Sequence, residues 1–287
     1  YIPHNFIVNI GGTGSLTTTS MDFTRASSTD DVIGTYNLNV PVTCSGEIKT
    51  HSGSVLNINS NTQTNTLVHS ADGADHKTLI NVKSNASLTV NETIDLAVNA
   101  NSGASLSVES GATVIAKSII DTSTFANGEG QIPLTNNGTI EVSESIDLTT
   151  ISNSGTITTP TINTSSITNS GTITATNAFT ATNYLRPTDS TSDVVNIKEG
   201  ATLSITNDAI ISTLIVGSDA RDIVILASPI FTALIFISGF LIRSTITPML
   251  SIACSNALVS LTSGTFSITT VSSVIMAAAK IGSAAFF

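Results

Sequence analysis

The densest group of residues able to hold a metal lies in Val-His-Ser-Ala-Asp-Gly-Ala-Asp-His-Lys at 68–77. His69, Asp72, Asp75 and His76 fall there within eight positions, and imidazole and carboxylate are donors that zinc and calcium use. The Asp-Gly-Ala-Asp core is too short for an EF-hand loop. The Gly-Gly-x-Gly-x-Asp repeat of calcium-binding β-rolls is missing. An exposed polar loop accounts for the same residues, so they stand as weak candidates, and the expectation is no metal and no cofactor. A second set is Asp95, Asp121 and Asp147, each following Ile in Thr93-Ile-Asp-Leu96, Ser118-Ile-Ile-Asp121 and Ser145-Ile-Asp-Leu148. Carboxylates paired on one face would suit acid–base cleavage of a glycan. No Lys, Arg or aromatic residue accompanies them, and keeping a face soluble is their simpler role.

Other chemical motifs fall short. Gly11-Gly-Thr-Gly14 lacks the Lys and helix of a phosphate loop. No Ser/His/Asp constellation stands out. Thr156/Thr158 and Thr172/Thr174 have the spacing of ice-binding threonine arrays, but Glu141 breaks the array in the neighbouring copy. Asn85, Asn91, Asn137 and Asn163 begin Asn-x-Ser/Thr sequons, which arise by chance in a chain this rich in Asn, Ser and Thr. The net charge of −10, from 20 acidic and 10 basic residues, argues against a nucleic-acid partner, which needs clustered Lys and Arg. These residues carry no catalytic assignment, and the chain is expected not to be an enzyme.

The elements that would position any such group are announced by repetition. Asn136-Asn-Gly-Thr-Ile140, Asn153-Ser-Gly-Thr-Ile157 and Asn169-Ser-Gly-Thr-Ile173 write one phrase three times. The repeat positions are Gly138, Ile140, Gly155, Ile157, Gly171 and Ile173. Weaker spellings occur at Ser45-Gly-Glu-Ile48, Ser52-Gly-Ser-Val-Leu56, Ser84-Asn-Ala-Ser-Leu88, Ser102-Gly-Ala-Ser-Leu106 and Ser110-Gly-Ala-Thr-Val114. Gly200 and Leu203 continue the series, and Gly264 and Phe266 repeat it in Thr262-Ser-Gly-Thr-Phe266. Apolar residues alternate with polar ones at Leu88/Val90, Leu106/Val108, Ile140/Val142 and Leu203/Ile205, which is the period of a strand with one buried face. Gly at the turn is expected for a positive φ, which Asn also tolerates. The pattern predicts an all-β parallel β-helix, a β-solenoid with short strands and coils of about 16–20 residues. Asn side chains at the turns are expected to stack into amide ladders. An antiparallel hairpin array, with Asn-Gly as a type I′ turn, is the competing arrangement.

Three regions are expected: an N-terminal cap or lead-in at 1–45, solenoid repeats at 46–221, and an apolar C-terminal region at 222–287. No charged residue occurs from Ile223 to Ile242. That length can span a bilayer as a helix, and a sequence artefact would also break the composition. The return of the repeat at 262–270 favours continuing solenoid. Cys44 and Cys254 would lie too far apart in a stack to form a disulfide. No basic start followed by a short apolar run marks a signal peptide, so one was removed or the chain is a piece of a longer protein.

Asn-Ser-Gly-Thr-Ile-Thr repeats in a Ser/Thr/Asn-rich, cysteine-poor chain resemble the passenger regions of bacterial surface adhesins of the filamentous-haemagglutinin and autotransporter types. The resemblance covers about 46–221 and implies a right-handed parallel β-helix. It implies no motif-level site residue. On this basis the chain is expected to be a structural or adhesive stalk at the bacterial outer surface or secreted. Its expected partner is a host or neighbouring-cell protein or glycan, with self-association or membrane contact through 223–242. A carbohydrate-active β-helix enzyme and a membrane-anchored surface protein are the alternatives.

Overall fold

The computed structural model describes residues 6–23, 34–70, 78–96, 103–121, 133–185, 193–198, 201–209, 211, 213–216, 222–226, 232–237, 240–245, 251–254, 257–262 and 265–270. All regular structure among them is β-strand, with no helix. The chain divides into two units, Tyr1–Thr158 and Thr159–Phe287.

In the first unit the strands fall into three parallel ladders, which the chain visits in turn. The first ladder stacks Phe6–Ile10, Gly34–Leu38, Ser54–Ile58, Thr78–Val82, Ala104–Val108 and Leu134–Asn136, then the end of Thr139–Asn153. The second stacks Leu16–Thr18, Val42–Cys44 and Thr62–Thr64, then the starts of Ser87–Asp95, Thr113–Ile120 and Thr139–Asn153. The third stacks Met21–Phe23, Glu47–His51 and Thr66–Ser70, then later residues of the same three long strands. The long strands change ladder where the register shifts, between Val90 and Thr93 and between Ala116 and Ser118. Such irregularities bend a strand without ending its pairing.

Each ladder turns one face inward. The first contributes the row Leu38, Ile58, Val82, Val108 and the row Leu56, Ile80, Leu106, Leu134, all fully buried. The second contributes Leu88, Val114 and Ile140, and the third Ile48, Leu67, Ile94, Ile119 and Ile146. Phe23 of the third ladder meets Tyr36 of the first at a ring separation of 4.7 Å, so the two share an interior. Each fully buried aliphatic side chain contributes about 1.5–3 kcal/mol, and no single circuit of the chain could enclose these rows alone.

From Val82 to Thr156 the corner from first to second ladder comes in two lengths. Val82 and Ser87 are separated by four residues, as are Val108 and Thr113, and each corner closes with a turn bond: Ala86 N–H donates to Lys83 O and Ala112 N–H to Glu109 O, both at 2.9 Å. The third residue of each turn has a positive φ, 65° at Asn85 and 80° at Gly111. In the next circuits Asn136 and Asn153 stand in the inward row that Val82 and Val108 occupy. Two residues, not four, then lead to Thr139 and Thr156. The Asn136 side chain replaces the missing backbone: its Oδ1 accepts from Gly138 N–H at 3.1 Å, as in an Asx-turn.

The expectation of positive φ therefore holds at Gly111 and Asn85 and fails at Gly138 and Gly155. These two glycines are needed for close approach. A Cβ on Gly138 would lie 2.4 Å from Ala112 O, and one on Gly155 2.1 Å from Gly138 O. Gly46 has the same reason, 2.5 Å from Thr19 O. The small column Ala86, Ala112, Gly138, Gly155 carries the ladder through the corner, with Thr139 N–H bonded to Ala112 O and Thr156 N–H to Gly138 O.

Repeat length also departs from the expected 16–20 residues. Leu134 pairs with Ile151, a step of 17, but Leu106 pairs with Leu134, a step of 28. Most of the additional residues fall between the third ladder and the next first-ladder strand, after Phe23, Ser70, Leu96 and Asp121. Lengthening a loop there costs little, because closure entropy rises only with the logarithm of length. The rungs have no such freedom. Residues of the expected lead-in, 1–45, supply strands to all three ladders.

In the second unit, Thr172–Leu185 pairs in parallel with Val194–Ile197 and with Thr202–Ala209. Val194–Ile197 pairs onward with Thr213–Val216, which pairs with Thr232–Ile237, and Thr202–Ala209 pairs with Asp222–Leu226. Ile162, Ile167, Ile173, Phe179, Tyr184, Val195 and Leu214 are fully buried. Beyond Ile237 the pairing becomes antiparallel: Thr232–Ile237 with Phe240–Thr245, Ser251–Cys254 with Ala257–Thr262, and Thr265–Thr270 with both Ala257–Thr262 and Asp222–Leu226. The described residues of the apolar run 223–242 are thus in strands, and among the described residues no helix is long and apolar enough to cross a membrane. Phe266 lies opposite Leu261 and Ile225 in antiparallel register.

Gly155→Ala should lower stability by about 1–3 kcal/mol, since the obstructing atom is a backbone oxygen and the ladder must shift to admit a methyl group. Gly111→Asn should stay within about 1 kcal/mol, since Asn85 already holds the aligned φ. Urea denaturation of the two variants checks the contrast.

Candidate functional site

The side chains with chemistry lie on outward rows, at corners and in two buried polar clusters. His69 is on Thr66–Ser70, in the inward row that runs Phe23, Thr50, His69. It is fully buried, with Nδ1 3.3 Å from Thr50 Oγ1. The alternation of the strand puts it there: Leu67 and His69 share one face, and Val68 the other. Its proposed companions Asp72, Asp75 and His76 lie outside the described residues. Among the described residues no group of three or more His, Cys, Asp or Glu is placed to hold a metal ion.

Asp95 and Asp147 occupy one row of the third ladder, each paired with Ile120. Two rungs separate them, about 9–10 Å at the usual strand spacing. Asp121 is not in that row; its N–H donates to Asp147 O, one position further along. The three carboxylates therefore form no single line, and an isoleucine separates the two that align. The sequence phrase hid this because Ser118-Ile-Ile-Asp carries one more residue before its Asp.

Of the repeat positions, Ile140, Ile157, Ile173 and Leu203 are buried to 1% exposure or less, and Gly138, Gly155 and Gly171 sit at two-residue corners. Gly200 and Gly264 lie outside the described residues. Cys44 is a buried free thiol.

Four features escape a reading by motif. The first is an amide ladder on the outward face of the first ladder. Asn37 Nδ2 donates to Asn9 Oδ1, Asn57 Nδ2 to Asn37 Oδ1 and Asn81 Nδ2 to Asn57 Oδ1, at 2.8–2.9 Å. These Asn residues are in strands, and the stacking expected at turns occurs beside them, with Asn59 Nδ2 donating to Asn39 Oδ1 at 2.7 Å at the corner after the first ladder; the unequal spacing between these residues in the chain conceals their alignment. The second is a pair of buried amides, with Asn136 Nδ2 donating to Asn153 Oδ1 at 2.7 Å. The third is charge pairing between neighbouring circuits. Lys83 Nζ donates to Glu109 Oε1 at 2.8 Å, and Lys117 Nζ lies 3.0 Å from Glu92 and 3.6 Å from Glu144. The Lys83 hydrogen bond, then the Ser84 N–H bond, hold the Glu109 carboxyl below its ordinary range. The hydrogen bond from Lys117 to Glu92 and the Glu144 charge raise the Lys117 ammonium. Burial, then the charge of Asp22, push the Tyr36 phenol up.

The fourth is the buried cluster of the second unit. Asn169 Nδ2 donates to Tyr184 Oη at 2.7 Å, and Tyr184 O–H donates to Asp193 Oδ2 at 3.0 Å. All three are fully buried. Asn169 also holds its corner, accepting from Gly171 N–H and donating to Gly171 O. Nothing in the spacing of these residues marks the cluster, since each comes from a different part of the repeat.

Comparison with protein-family models, with curated proteins and with solved structures gives no match.

Tyr184→Phe should cost about 1–3 kcal/mol, because it removes both buried hydrogen bonds of the phenol, the one it accepts from Asn169 and the one it donates to Asp193. Thermal denaturation measures it. Glu109 gives a signed pH dependence. Its lowered folded-state value means that its stabilisation is present above its ordinary value of 4.5 and is lost as pH falls through the folded value. Glu109→Gln should flatten the stability-versus-pH curve in that acid window, read as the urea midpoint across pH.

Proposed function

We propose that this chain is a segment of a β-solenoid stalk on a surface adhesin, without catalytic activity of its own. The observation that carries the reading is the unbroken parallel register of the three ladders. In the first unit seven rungs of the first ladder stand at six spacings of about 4.8 Å, or about 29 Å of stack. Repeated coils of this kind build length rather than a cleft. Outward residues are tied to the next coil, as amide ladders or ion pairs, which spends their polar capacity on stiffness. Most of the added length falls between the third ladder and the next first-ladder strand, so it can vary there without altering the rungs. The repeat phrase supports the bacterial-surface assignment through its resemblance to filamentous-haemagglutinin and autotransporter passengers. The partner of such a stalk is a protein or glycan on a host or neighbouring cell.

The full chain, purified and labelled, should bind intact cells or a glycan array without consuming its target, and its small-angle scattering should be that of an elongated particle. Cleavage of an acidic polysaccharide by the full chain, abolished in Asp95→Asn or Asp147→Asn, would replace the stalk with an enzyme.

A further inference from the structure

Asn-Gly is the dipeptide most prone to succinimide chemistry, because a glycine nitrogen is unhindered. This chain contains two, Asn127-Gly128 and Asn137-Gly138. The second lies at the two-residue corner of the first unit. Asn137 is exposed and Gly138 is buried. The reaction needs the Gly138 nitrogen, stripped of its proton, to attack the Asn137 side-chain carbonyl carbon. Three contacts oppose that approach. Gly138 N–H donates to Asn136 Oδ1 at 3.1 Å. Asn137 Oδ1 accepts from Ser154 Oγ of the next circuit, drawing the side chain along the outer surface. Gly138 itself is clamped, with its O accepting from Thr156 N–H at 2.8 Å and its Cα facing Ala112 O and Glu109 O.

We propose that Asn137-Gly138 is a deamidation site gated by the stacking of the chain, with the Asn136 carboxamide as the guard that withholds the attacking nitrogen. While the circuits are stacked the amide persists. When this corner opens, the Gly138 nitrogen forms a bond to Asn137 Cγ, the carboxamide C–N bond breaks, and the amide group leaves as ammonia with the proton from Gly138. Water then opens the ring at either carbonyl, giving aspartate or isoaspartate. Isoaspartate adds a methylene to the main chain where none fits: Gly138 O already stands 2.1 Å from where a Cβ on Gly155 would be. The corner that has once reacted to isoaspartate cannot restack in register, so the chemistry records that the stack was opened. This inference is independent of the adhesin reading.

The test uses the full chain in mildly alkaline buffer, with peptide mass spectrometry following the one-dalton gain at Asn137 and an isoaspartate assay on the same peptide. Asn136→Val is the chosen variant, because Val82 and Val108 fill the same inward row in earlier circuits. Wild-type Asn137 should deamidate far more slowly in native buffer than in urea. The folded variant should deamidate at Asn137 at least about tenfold faster than wild type, the factor that about 1.4 kcal/mol of lost hydrogen bonding sets. Asn127 should keep its wild-type rate. If the variant does not fold, two wild-type measurements decide: amide hydrogen exchange at Gly138, which should be slow, and the native-to-urea rate ratio at Asn137. Equal rates in native buffer and urea, fast exchange at Gly138, or a folded Asn136→Val that deamidates like wild type would each overturn the proposal.

Discussion

Everything in the first unit depends on backbone pairing being carried through a corner, where a parallel ladder is hardest to maintain. At a bend the carbonyls of one circuit point toward the Cα atoms of the next. The column Ala86, Ala112, Gly138, Gly155 answers this with side chains that shrink as the corner shortens. Four-residue corners keep a methyl group and use a left-handed residue to turn. Two-residue corners give up the methyl group and recruit an inward Asn. One geometric demand thus selects Gly, Asn and the phrase in which they occur together.

The same demand explains the polar interior. Thr64 Oγ1 donates to Thr66 O and to Gly46 O, Thr159 to Thr161 O and Thr164 to Ser166 O. Each is a buried threonine at a bend, bonding the carbonyl two residues on. A buried polar group costs little once paired and a great deal when stranded. Strands this short end often, and each end frees backbone groups that a small polar side chain can reach. A chain rich in Thr, Ser and Asn is therefore suited to many short strands, whereas a few long strands with an aliphatic core would leave those side chains unused.

Much of the fold was legible in the sequence because strand alternation is local. Leu88, Val90, Leu106, Val108, Ile140, Val142, Leu203 and Ile205 all face inward, as their spacing requires. Alignment by glycine misled, because Gly111 and Gly138 are one position apart in the ladder and serve different ends. Position 111 aligns with Asn137, which a search for the glycine cannot see. The tail misled through the same phrase: Thr262-Ser-Gly-Thr265 matches the repeat, yet Thr262 and Thr265 face each other across an antiparallel pair. A short Ser-Gly segment is compatible with either, and only the partner strand decides. The site was less legible. His69 looked like one member of a surface cluster, but the strand parity of Leu67 and His69 places it in the core. Tyr184 and Asp193 meet only because two strand ends converge, and no local pattern encodes that.

The central claim is parallel, in-register stacking of the ladders. Thr89 and Ile115 face each other across the second ladder, on its outward side. At the usual spacing of about 4.8 Å, Cys at both positions meets the Cα separation a disulfide needs. In a Cys44→Ser background, Thr89→Cys with Ile115→Cys should crosslink within the chain under mild oxidation. The offset pair Thr89→Cys with Thr113→Cys should crosslink far more slowly. Equal crosslinking of both pairs, or preference for the offset pair, would contradict the parallel register on which the account rests.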